Sequence, residues 1–103
     1  MDHCIMLTTC PDKEMAAKIA NHLVEKRLAA CVQLCPIESV YLWQGDICRE
    51  DEITLVIKSK ASLFDQVRTE IQAHHSYQVP EIIQVPITDG LTSYLRWIDD
   101  CVM

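Results

Sequence analysis

"ACVQLCPIESVYLWQGDICREDEITLVIKS", residues 30–59, decides the fold, because it sets two extended segments back to back with no helix between them. "ACVQLCPIESVYLW" (30–43) is rich in β-branched and aromatic residues and reads as one long strand, with Pro36 marking a kink or an edge. "QGD" (44–46) supplies the turn, since Gly45 tolerates a positive φ. "EITLVIKS" (52–59) alternates cleanly, with Ile53, Leu55 and Ile57 on one face and Thr54, Val56 and Lys58 on the other. The pair is predicted to form an antiparallel hairpin.

Helical periodicity flanks that hairpin on both sides. Upstream, "HCIMLTTC" (3–10) is an apolar run too short for a helix, so it reads as a strand. Pro11 and Asp12 then supply helix-start chemistry, and Met15, Ile19, Ala20, Leu23 and Val24 recur at helical spacing until "EKR" (25–27). Downstream, Ser62 with Asp65 resembles a capping box, and Leu63, Phe64, Val67 and Ile71 form an apolar stripe that continues to His74. "EIIQVPI" (81–87) is a last strand, placed at an edge by Pro80 and Pro86. After "TDG" (88–90), Leu91, Tyr94, Leu95 and Ile98 define a short third helix.

The predicted fold is therefore α+β, a ferredoxin-like βαββαβ sandwich with a C-terminal helix, in a single domain over residues 1–103. Two right-handed crossovers put the first two helices on one face of the sheet. The other face carries Val56, Val40 or Tyr41, and Leu42 or Trp43, which is more apolar surface than one short helix covers. A homo-oligomer is expected, with the long second strand free to extend a neighbour's sheet.

Composition narrows the function classes. A formal net charge of −6, with nine scattered Lys and Arg residues, argues against nucleic acid and anionic membranes as partners. No run of about 18 apolar residues occurs, and the first residues lack a secretory pattern, so a cytoplasmic location is expected. The six cysteines (4, 10, 31, 35, 48, 101) contain no C-x-x-C pair. Cys31 and Cys35 fall in a predicted strand, where four residues span roughly 13 Å and cannot share one ion.

In this topology the end of the first strand, with Cys10, lies at the same end of the domain as the end of the second helix, with His74 and His75. A thiolate with imidazoles suits copper or zinc, whereas a histidine ending a helix is also stabilised by the helix dipole with no ligand at all. Adjacent helical residues point about 100° apart, so both rings reach one ion only if the last turn frays or subunits share the site.

Several segments together resemble the CutA family of divalent-cation tolerance proteins: "TTCPDKEMA", "KRLAACVQ", "SVYLWQGDI", "EITLVIKS", "HHSYQVPEIIQVPITDG" and "YLRWI", in order from Thr8 to Ile98. The resemblance implies a homotrimer of ferredoxin-like subunits that binds copper (Cu2+), with zinc or another divalent cation as the alternative. It also implies metal ligands at His74, His75 and a cysteine near the end of the first strand. Thr8 stands at that cysteine's position here, and Cys10 lies two residues on, displaced by about 7 Å along a strand.

Trimer formation would also gather Trp43, Lys58, Tyr77 and Glu81. Two readings stand for this group: a Lys58–Glu81 ion pair with aromatic packing, because buried charges are normally paired, or an intersubunit cleft for a small anionic ligand, by analogy with PII-type signalling trimers. An enzyme is not expected. There is no P-loop, no G-x-G-x-x-G, no G-x-S-x-G, and no nucleophile with an orienting partner. The expected role is non-catalytic divalent-cation tolerance, and the alternative is a trimeric regulator.

Overall fold

A computed structural model describes residues 2–103. Along the chain run β1 (His3–Cys10), α1 (Lys13–Glu25), β2 (Cys31–Trp43), β3 (Asp46–Lys60), a single 3-10 turn (Ala61–Leu63), α2 (Phe64–His74), β4 (Ile83–Pro86) and α3 (Thr92–Cys101). The strands form one antiparallel sheet in the order β2-β3-β1-β4. This is the α+β arrangement expected from the sequence.

β3 begins at Asp46, six residues before the alternating "EITLVIKS" segment, and pairs with β2 from Cys31↔Lys58 to Trp43↔Asp46. Residues 46–51 escaped sequence reading because only Cys48 among them is even half-buried, so burial imposes no alternation on them. Their strand character comes from the ladder to β2. Gln44 (φ 50°) and Gly45 (φ 84°) make the two-residue turn, both central positions being left-handed as a primed turn requires. A ladder of this length spans about 40 Å, in keeping with the 44 Å long axis of a molecule only 25 × 22 Å across.

Helix ends follow local chemistry in one case and not in another. Asp12 caps α1 by accepting from the Met15 N–H at 2.8 Å. The helix stops where Arg27 turns left-handed (φ 58°), and the Arg27 guanidinium then donates to the carbonyls of Asp100 and Cys101 at the end of α3. The capping box expected of Ser62 and Asp65 is not made. Ser62 lies in the 3-10 turn, α2 starts after Leu63 without a side-chain cap, and Asp65 pairs with Arg68 at 3.1 Å. β4 is shorter than expected, four residues paired with Cys4–Leu7.

The core lies between the sheet and the first two helices. Met6, Cys10, Leu55 and Ile57 from the sheet meet Ala16, Ile19 and Leu23 of α1 and Val67 and Ile71 of α2, all essentially inaccessible. Thr8 shares that dry face, and its hydroxyl has no hydrogen-bond partner among the described residues.

The opposite sheet face is covered only in part. α3 sits over one end, where His3 meets Asp99 at 2.9 Å and the Lys58 ammonium lies 5.9 Å from the Tyr94 ring centre. Ile83 and Val85 remain nearly half-exposed. Alternation along β2 places Tyr41 and Trp43 on this face and Val40 and Leu42 on the other. The far part of the hairpin is thus an apolar arm, with Leu42 71% and Ile47 80% exposed.

Candidate metal centre

α2 delivers two histidines in different directions. His74 is its last helical residue, while His75 already has extended backbone (φ −92°, ψ 142°). The His75 ring turns to the end of β1. Its Nδ1 accepts from the Tyr77 N–H at 3.0 Å, so Nε2 carries the proton and donates to the Thr9 carbonyl at 2.6 Å. The ends of β1 and α2 therefore meet as the topology requires, and both His75 nitrogens are spent on the backbone in this conformation.

His74 faces α1 instead. Its ring packs edge-on to His22, centroids 4.4 Å apart, and makes no hydrogen bond among the described residues. Glu70, one helical turn earlier and on the same face, brings Oε1 to 3.8 Å from His74 Nε2 and 3.4 Å from His22 Nε2. Its second oxygen accepts from the Lys26 ammonium at 2.9 Å. That hydrogen bond, aided by the charge of Lys26 and by both histidines, holds the Glu70 carboxyl below the usual range against an opposing effect of desolvation. His22 belongs to no motif in the sequence; its partners become visible only once the two helices are packed together.

Cys10 is brought to the same end as His75 but points into the core. Burial first, then the charges of Asp12 and Glu52, push its thiol up to about 11. A protonated, inaccessible thiol is a poor metal ligand as it stands. The same shift has a thermodynamic consequence. Between pH 9 and 11 the thiol stays protonated in the fold while it ionises in the unfolded chain, so folding takes up a proton and stability falls as pH rises. Urea unfolding at pH 8 and pH 10.5 should show this loss, and Cys10→Ala should make it shallower; equal losses in the two proteins would contradict it.

The second predicted constellation is gathered only in part. Trp43, Tyr77 and Glu81 line one cavity of about 550 Å³, together with Tyr41, Glu50 and Glu52. Glu52 is almost buried and accepts from the Tyr77 hydroxyl at 2.7 Å, and Tyr41 donates to Glu50. Both phenols are held protonated, Tyr77 chiefly by burial and Tyr41, raised to about 12, chiefly by its bond to Glu50. Within one chain Lys58 lies outside this cavity, against Tyr94. The cavity of a single chain is lined by three carboxylates and no Lys or Arg, which disfavours an anion there.

Strand order 2-3-1-4, with α1 and α2 on one face, defines a ferredoxin-like protein, here with imidazole and carboxylate donors between its two helices. The sequence matches the CutA1 divalent ion tolerance protein family over residues 4–101, and the chain belongs to that family. It is 42% identical to the divalent-cation tolerance protein CutA of Archaeoglobus fulgidus over 100 residues, 97% of this chain and 98% of that one. It is also 42% identical to the chloroplastic protein CutA of Arabidopsis thaliana, covering 91% of this chain but only 52% of the longer plant protein. The solved structure of the Archaeoglobus fulgidus protein, described as periplasmic, superposes with a TM-score of 0.96 over 98% of this chain and 99% of that one. CutA1 from Oryza sativa superposes with a TM-score of 0.97 at 36% identity, over 100% of this chain and 95% of that one. Relatives thus carry the names of different compartments.

Proposed function

We propose that this chain is a divalent-cation tolerance protein that binds its cation without catalytic turnover, Cu(II) being the expected cargo and Zn(II) the alternative, and that it works as a homotrimer. Family membership supports cation tolerance. The observation that carries binding is His74: a partly exposed imidazole, unclaimed by any hydrogen bond among the described residues, beside an ionised carboxylate. Imidazole and carboxylate together suit Cu(II) and Zn(II), and intrinsic affinity among such ions peaks at Cu(II). Of the other two ligands implied by the resemblance, His75 would first have to release the Tyr77 amide or the Thr9 carbonyl, and Cys10 would have to leave the core and ionise. His74 is therefore the leading ligand of the three.

Assembly is supported by the half-covered sheet face and by the strongly exposed Leu42 and Ile47 of the apolar arm. A cytoplasmic location is the expected one, in keeping with six cysteines that show no paired spacing. The regulatory, anion-binding alternative would need cationic groups from a neighbouring subunit, since one chain lines the cavity with three carboxylates.

Calorimetric titration of the purified chain with Cu(II) tests the proposal. The expected result is saturable binding that is lost when His74→Ala and His75→Ala are combined. Binding that is unchanged in the double variant would remove both histidines from the site.

A further inference from the structure

The donors around His74 have a geometry of their own. His22 lies in the last turn of α1 and Lys26 at its C-cap, Glu70 and His74 are one turn apart on α2, and the helices run antiparallel, so that His22 faces His74 and Lys26 faces Glu70. One ligand atom from each of His22, Glu70 and His74 lies within 4.8 Å of the other two, the only such set of three among the described residues.

Those separations are compatible with a chelate. Hydrogen bonds from an imidazole to a carboxylate run at about 2.7–3.2 Å. The two contacts here, 3.4 and 3.8 Å, are longer than that. Ligand atoms about 2.1 Å from a tetrahedral ion stand about 3.4 Å apart, which matches the first contact and leaves the second to close by a few tenths of an ångström. Glu70 and His74 are held one turn apart by their helix, and the third separation, between the two imidazoles, lies within 4.8 Å. Lys26 completes the arrangement by holding Oε2 of Glu70, which leaves Oε1 turned towards both rings. All three donors are partly exposed, so an ion has a way in.

We infer that His22, Glu70 and His74 form a three-ligand Zn(II)-class site that bridges α1 and α2, with a fourth position open to water and with Lys26 orienting the carboxylate. This rests on the proposed cation-binding reading and names a ligand set different from the one the family resemblance implies: His22 and Glu70 stand with His74 in place of His75 and Cys10. An ion held this way ties together the two helices that form one wall of the core, so loading should stabilise the fold as well as fill the site.

The test uses the full chain and Zn(II) alone, with affinity read by competition against a chromophoric chelator and stability by thermal unfolding with and without the metal. His22→Gln and Glu70→Gln should each weaken Zn(II) by about 100-fold or more, because even groups that merely orient ligands alter affinity by about 10–100-fold. Lys26→Met should weaken it by about 10-fold, while His75→Ala and Cys10→Ala stay within about 3-fold. Zn(II) should raise the unfolding midpoint of the unmodified chain and of His75→Ala but not of His22→Gln; the metal-free midpoints report whether each variant has folded. Undiminished affinity in His22→Gln, or loss confined to His75→Ala and Cys10→Ala, would overturn this ligand set while leaving the cation reading intact. Failure of the unmodified chain to bind either Zn(II) or Cu(II) would overturn both.

Discussion

Replacing Leu42 and Ile47 together with glutamate should leave folded single chains in solution. The two residues face each other across the hairpin ladder near the tip of the arm, 71% and 80% exposed, with no core of their own chain behind them. In an assembly that covers the arm, each buried side chain contributes about 1.5–3 kcal/mol, and a glutamate in its place adds the cost of desolvating a charge. Losing two such contacts per subunit weakens association by at least about 3 kcal/mol per arm, more than a hundredfold in the dissociation constant. Sedimentation velocity at micromolar concentration reads the mass, and far-UV circular dichroism confirms the fold. An unchanged assembly mass in the variant would show that the arm is not part of an interface.

Ile71→Ala should produce the largest loss of stability among single changes to α2. Ile71 is fully buried against the sheet, next in the chain to Glu70 and one turn before His74. Removing a buried isoleucine side chain to the β-carbon costs about 2–5 kcal/mol, made up of lost transfer energy and the cavity left behind. That is a large part of the total for a domain of this size. The same cavity loosens the helix that presents Glu70 and His74, so cation affinity should fall along with stability. Urea unfolding measures the first effect; a loss below about 1 kcal/mol would mean that α2 repacks freely, and the core described above would need revision.

The fold was largely legible because its decisive segment has one dry face. Alternation in "EITLVIKS" and the stripe from Leu63 to Ile71 both reflect burial against the same core, and burial is what writes a period into a sequence. Where burial is absent, legibility failed. "DICRED" (46–51) forms a strand with almost nothing buried, and Ser62–Asp65 spells a cap that the 3-10 turn displaces. The placement of the candidate residues was legible in half. His74 follows from the helical stripe, but His75 turns away because the helix ends between the two residues, and no propensity places a helix end to within one residue. His22 lies 52 positions from His74 and enters only through the packing of α1 on α2. The signal that could have found it is the antiparallel match of His22 and Lys26 with His74 and Glu70, each pair one helical turn apart.

Acidic character, read at first as a matter of partners, acquires a location in the structure. Carboxylates gather in the cavity beneath Tyr77 and at Glu70, whereas the basic Lys58 is drawn off to the Tyr94 ring. The three carboxylates of the cavity favour cations over anions, whereas the charge of Glu70 is already met by Lys26. The cavity and Glu70 lie on opposite sides of the sheet, so the acidic cavity can be closed by a neighbouring subunit without obstructing the donors between α1 and α2.

Native mass spectrometry of the unmodified chain, sprayed with and without Zn(II), reads subunit number and metal content in a single spectrum. The expected species is three 11.8 kDa chains carrying one ion per chain when zinc is present, and the same trimer without it. A spectrum dominated by the 11.8 kDa single chain, or a trimer that takes up no zinc, would contradict the account.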